Sequence, residues 1–155
     1  MKVLMLRRFV ADLSAIYTTS AGKSLDEALV IRNPQDAYTF LRVEMESLEQ
    51  EQMRTLTLST RNKIISAQMI YQGNINTVIV RPAEIFRPAI IDNACAIILA
   101  HNHPSGDPSP SPEDVKITSE LVQAGKLLGI DVLDHLVICK EKFVSLKDRG
   151  LGFES

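Results

Sequence analysis

His101-Asn102-His103-Pro104-Ser105-Gly106-Asp107-Pro108-Ser109-Pro110-Ser111-Pro112-Glu113-Asp114 places two imidazoles, a hydroxyl and a carboxylate in one short run. Histidine nitrogen and aspartate oxygen are the donors that divalent zinc accepts, and their spacing suits one shared site. Two histidines and one aspartate supply three protein ligands, His101, His103 and Asp114. The fourth tetrahedral position is left for water, which separates a catalytic zinc site from a closed structural one. The run therefore reads as a catalytic metal centre.

Two elements must position these groups. Cys95-Ala96-Ile97-Ile98-Leu99-Ala100 is short, apolar and followed by Pro and Gly, the pattern of a buried strand. Side chains alternate along an extended segment, so His101 and His103 leave its end on one side and Asn102 points away. After the loop, Ser111-Pro112-Glu113-Asp114 opens an amphipathic helix that runs through Leu128. Serine at the N-cap, proline at N1 and acids in the first turn are a strong start signal. Asp114 falls in that first turn, where the loop can fold it back against the strand end.

Each residue also has a structural reading. Asp114 would favour the positive end of the helix by a few tenths of a kcal/mol in any case, on the order of the usual dipole effect. Ser111 suits an N-cap whatever else it does, since Ser-x-x-Asp is related to the capping box. His135, in Val132-Leu133-Asp134-His135-Leu136, is readable as an ordinary core or surface histidine. Taken with His-x-His as a set, the metal reading is the stronger one.

His101-x-His103, the seven residues after it, Ser111, two more residues and Asp114 resemble the JAMM (MPN-plus) metalloprotease signature, with every position of the core filled. The longer string Ala100-His-Asn-His-Pro-Ser-Gly106, with Val132-Leu-Asp-His135 further on, is similar to the RadC-like branch, and the likeness spans roughly residues 33 to 150. The resemblance implies an α/β fold, a three-layer αβα arrangement about a mixed sheet of the cytidine-deaminase-like kind. It implies Zn2+ held by His101, His103 and Asp114, with Ser111 hydrogen-bonding the tetrahedral intermediate. It also implies an upstream glutamate as general base. Glu51, opening Glu51-Gln52-Met53-Arg54-Thr55-Leu56-Thr57-Leu58, matches that position best, with Glu49 and Glu46 as competitors. Relatives commonly carry an N-terminal helix-hairpin-helix region associated with DNA. This sequence shows no Gly-rich hairpin of that kind, so the likeness implies a short or truncated form, and a DNA role is weakened accordingly.

The need for such a glutamate is also chemical. Zinc lowers the pKa of water to about 7, and a carboxylate then moves its proton to the leaving amine. Serine or helix-terminal donors stabilise the developing oxyanion.

Composition sets bounds. At 155 residues the chain fits one domain of common size, and 45% hydrophobic with 23% charged residues is ordinary for a globular protein. A formal net charge of -2 and a pI near 5.9 provide no electrostatic footprint for nucleic acid, and Arg7-Arg8 is too short to supply one. Cys95 and Cys139 belong to no CxxC pair and read as small core residues. Met1 to Val10 is broken by Lys2, Arg7 and Arg8, so no secretory h-region forms, and no stretch has the length of a membrane span. Cytoplasm is the default location.

Residues 1–32 read as an arm with one or two strands, with apolar segments at Val3–Leu6, Leu13–Thr18 and Ala28–Ile31, packing on the domain or on a second subunit. Residues 33–155 form the domain proper. Asn33-Pro34 starts a helix whose apolar stripe continues to about Leu48. Met53–Ser59 and Ile64–Tyr71 are hairpin strands about the Thr60–Lys63 turn, ended by Gly73. Arg81-Pro82 opens a further helix with Ile85, Phe86, Ala89 and Ile90 on one face. Gly129 stops the helix from Pro112, and Ile130–Cys139 and Phe143–Leu146 are the last strands. Helices interleaved with strands and hairpins predict a mixed sheet covered on both faces.

The leading functional expectation is a zinc-dependent hydrolase of the metallopeptidase or isopeptidase type acting on a peptide or protein, with a homodimer as a further expectation. A zinc deaminase would need His-x-Glu and a later Pro-Cys-x-x-Cys, and the chain has neither. The alternative is a DNA-repair-associated or protein-interaction module without peptidase turnover.

Overall fold

A computed structural model of the chain describes residues 29–73 and 79–153. The chain divides into two units, Met1–Val30 and Ile31–Ser155. The arm segments at Val3–Leu6 and Leu13–Thr18 lie outside the described residues. All helices and strands among the described residues belong to the second unit.

Helix α1 (Pro34–Met45) starts where Asn33 caps it, its side chain accepting from the Asp36 amide at 3.0 Å, with Pro34 at N1. It buries Ala37, Tyr38, Phe40, Leu41 and Met45. It ends at Met45, short of the expected Leu48, because the chain turns there: the Leu48 amide bonds back to the Met45 carbonyl.

Strands β1 (Gln52–Leu58) and β2 (Ile64–Gln72) form the expected hairpin, with Asn62 in the left-handed region at φ 53°. Helix α2 (Pro82–Asp92) follows. It buries Ile85, Phe86 and Ala89, but Ile90, expected on that face, is 59% exposed. The buried stripe is narrower than the apolar one, since Ile90 and Ile91 both turn outward.

Strand β3 (Ala96–Asn102), helix α3 (Pro112–Leu128), strand β4 (Asp131–Cys139) and strand β5 (Lys142–Ser145) complete the unit. The sheet order is β2-β1-β3-β4-β5, with β3 and β4 parallel and the other neighbours antiparallel. A parallel pair needs a crossover, and α3 is that crossover. Gly125 lets α3 close on its exit, since a Cβ there would stand 2.4 Å from the Ile130 carbonyl oxygen. Gly129 ends the helix in the left-handed region, at φ 68°.

Strand β3 runs two residues beyond the expected Ala100, because its ladder to β4 continues through His101 opposite Val137 and Asn102 opposite Ile138. All seven of its residues are buried, as befits a central strand covered on both faces. Ile97 and Leu99 face α2 and α3, in a core with Met53, Phe86, Ala89 and Leu121. The intervening residues face α1, which contacts β3 and β4 and stacks Tyr38 on Phe143 with ring centroids 4.6 Å apart. The fold is a mixed sheet flanked by helices.

Candidate metal centre

The site stands where two parallel strands end and the crossover helix begins, the usual ligand position in α/β sheets. His101 is the penultimate residue of β3, 1% exposed and level with Met53 of β1. His103 follows the strand, its amide still bonded to the Ile138 carbonyl at 2.9 Å. That bond prolongs the ladder by one step, and alternation leaves both imidazoles on the α3 side.

The loop turns back at Gly106, whose φ of 84° favours glycine and whose amide bonds to the His103 carbonyl. Ser111 caps α3: its Oγ accepts from the Asp114 amide at 3.1 Å. Asp114 Oδ2 in turn accepts from the Ser111 amide and hydroxyl, each at 2.8 Å. The capping box thus holds the Asp114 carboxylate and leaves Oδ1 turned toward His101, 3.3 Å from its Nε2.

His103 Nε2 lies 3.0 Å from His101 Nε2 and 3.8 Å from Asp114 Oδ2. His103 Nδ1 is 2.8 Å from the Asp107 carbonyl, which only accepts, so Nδ1 carries a proton and Nε2 is the ring nitrogen that can offer a lone pair. Donors at about 2.0–2.1 Å around a tetrahedral ion stand roughly 3.3–3.4 Å apart. His101 Nε2 stands 3.0 Å from His103 Nε2 and 3.3 Å from Asp114 Oδ1, close to that value, and one ligand atom from each of the three residues lies within 4.8 Å of the others. His101, His103 and Asp114 form a group that could bind a metal ion.

Burial pushes the Asp114 carboxyl up. His101, a charged donor to this carboxylate whenever its Nε2 is protonated, and the two Ser111 donors outweigh it and hold the group well below the usual carboxylate range. Asp114 is therefore an anion at neutral pH, as a ligand must be.

The sequence alone presents His135 as an ordinary histidine, and the structure assigns it more. Parallel pairing sets it beside Leu99, and its Nε2 lies 2.8 Å from His101 Nδ1. Its own Nδ1 is 2.6 Å from Thr118 Oγ1. Burial, and then repulsion from His101, keep the fully buried His135 strongly toward the neutral form. Thr118 carries no motif of its own; the signal that points to it is its place four residues after Asp114, which puts both on one helix face.

The three candidate glutamates separate in space. Glu46 is paired with Arg42 at 3.2 Å and accepts from Tyr38. Glu46 and Glu49 line a 410 Å³ cleft with Met45, Leu48, Ile138 and Lys140, and His103 forms part of its wall. Glu51 sits one residue before β1. Strand alternation groups it with Met53, the residue level with His101, and its carbonyl accepts from Gly73 at 2.8 Å.

A family model described as the RadC-like JAB domain matches residues 31–151. The chain belongs to the RadC-like JAB domain family. It is 52% identical over 128 residues to a UPF0758 protein of Roseiflexus sp. (strain RS-1), covering 83% of this chain and 55% of that one. A UPF0758 protein of Chloroflexus aurantiacus (strain ATCC 29366 / DSM 635 / J-10-fl) is 48% identical over 134 residues, 86% of this chain and 58% of its own. One from Methanosarcina mazei is 46% identical over 120 residues, 77% of this chain and 52% of its own. The chain thus spans about half the length of the curated relatives it matches, and their names state no activity. Among the described residues of this RadC-like chain, no helix is long and apolar enough to cross a membrane.

Proposed function

We propose that this RadC-like domain is a zinc-dependent hydrolase of the JAMM metallopeptidase type, cleaving an amide bond in a peptide or protein in the cytoplasm. We assign that activity to residues 33–155, with residues 1–32 as an arm before it. One observation carries the reading: one ligand atom from each of His101, His103 and Asp114, buried or half-buried, falls within 4.8 Å of the other two, a cluster that a cation could join.

His101, His103 and Asp114 would hold the ion. When bound, zinc supplies Lewis acidity and acidifies water to a pKa of about 7. The chain's own groups do the rest. Glu51 takes the proton of the attacking water and delivers it to the leaving amine. Its position two residues before Met53, the residue level with His101, supports it. Glu49 stays the competitor, since it lines the cleft that His103 walls. Ser111, beyond capping α3, would turn its hydroxyl proton from Asp114 Oδ2 to the developing oxyanion. The cleft, apolar at Met45, Leu48 and Ile138 and charged at Glu46, Glu49 and Lys140, receives the substrate chain.

The test is the metal content of purified wild type against a His101→Ala/His103→Ala double variant, followed by amide-hydrolysis assays. About one zinc per chain, lost in the variant, supports the reading. A wild type that stays empty in added zinc overturns it in favour of an interaction module.

A further inference from the structure

We infer that Thr118 and His135 form a buried relay that fixes the tautomer of His101, making its Nε2 a metal-accepting atom. The inference rests on the metal reading of the same site.

The proton positions follow one another from a group with no choice. The Asp114 carbonyl can only accept, so the Thr118 hydroxyl, 2.6 Å away, donates to it. A hydroxyl has a single proton, so toward His135 Nδ1, also 2.6 Å away, Thr118 Oγ1 can only accept. His135 therefore carries its proton on Nδ1. Its two ring nitrogens meet Thr118 Oγ1 and His101 Nδ1 and no carboxylate, and the ring is fully buried, so it holds that one proton and presents Nε2 as a lone pair to His101 Nδ1 at 2.8 Å. His101 must then carry its proton on Nδ1, and its Nε2 is left bare toward Asp114 and His103.

Without the Thr118 hydroxyl the order is free to reverse. His135 could protonate on Nε2, His101 would accept at Nδ1, and the His101 proton would sit on Nε2, where it blocks a metal. The surroundings hold the relay in place. His101 and Thr118 are at most 1% exposed, and His135 is fully buried, so no water substitutes for a missing partner. The His135 amide is bonded to Asp134 Oδ1 at 2.7 Å, and the Asp134 carboxylate also accepts from Ser145 at 2.7 Å. On the far side Gly152 packs directly on Thr118, for a Cβ there would meet the Thr118 Cβ at 2.9 Å. Thr118 and His135 are positioning residues: they touch neither the metal position nor the cleft.

The experiment has two readouts. Imidazole nitrogen NMR of metal-free protein is expected to show the His101 proton on Nδ1 in wild type and on Nε2 in a substantial fraction of Thr118→Val. Zinc affinity, measured by chelator competition, is expected to fall by about 10- to 100-fold in Thr118→Val, the usual effect of losing a partner behind a ligand. Thr118→Ser, which keeps the hydroxyl, should restore both. A wild-type His101 protonated on Nε2 overturns the relay, and that spectrum decides even where a variant fails to fold. Wild-type zinc affinity in Thr118→Val overturns it as well. Failure of the wild type to bind zinc would instead defeat the metal reading beneath it, so the two failures are distinguishable.

Discussion

Asn102 grips the backbone next to Gln52 from both sides: its Oδ1 accepts from the Gln52 amide at 2.7 Å while its Nδ2 donates to the Gln50 carbonyl at 3.0 Å. The residue between those two points is Glu51. One buried amide at the end of β3 thereby sets where the proposed base begins its approach. Asn102→Ala should lower stability by about 1–3 kcal/mol, the cost of stranding buried polar groups. It should also lower turnover while zinc stoichiometry stays at the wild-type value. Denaturant unfolding and a zinc titration on one preparation test both parts.

Glu51→Gln keeps the shape of the side chain and removes its basicity. Zinc content should be unchanged and amide hydrolysis should fall by roughly 10²- to 10⁴-fold, the range for a positioned general base. Full turnover in this variant, on a verified substrate, would transfer the role to Glu49.

Ser111→Ala separates the cap from the chemistry. Loss of the N-cap alone costs about 1 kcal/mol. A lost oxyanion donor lowers the rate by roughly 10²-fold or more. We expect both effects; a stability change with unaltered kcat would reduce Ser111 to a cap and an orienter of Asp114.

The Asp114 carboxyl, held low by His101 and Ser111 against its own burial, also predicts a pH effect in metal-free protein. A group whose folded-state value is depressed contributes stability that is complete above the unfolded value, about pH 4, and is lost as pH falls through the folded value. Asp114→Asn lacks that contribution. Its stability should therefore fall less steeply than that of wild type below about pH 4 in acid-series thermal unfolding.

Much of the fold and site is legible along the chain because the signals are local. The α3 bounds follow from Ser111, Pro112 and Gly129, each acting within one turn of its own position. The three convergent donors come from strand alternation plus one helix start. The features that stay hidden depend on pairing between distant segments. His135 reaches His101 only because β4 lies parallel to β3 in a register that sets it beside Leu99, and no neighbouring residue announces that register. The same ladder carries β3 past Ala100 to Asn102. Glu46, Glu49 and Glu51 cannot be separated by spacing, since the turn after Met45, which ends the helix early, decides where each of them stands.

Two imidazoles whose Nε2 atoms face each other at 3.0 Å inside a fold are a poor way to make a protein stable. A chain shaped by folding alone would replace His103, half-buried beside His101 at 3.0 Å, with a residue that brings no opposing lone pair, and the metal-free fold would gain by the change. The crowding is thus a sign of selection for something other than folding. On the proposed metal reading, it marks a place where the molecule gives up robustness to stay ready for an ion.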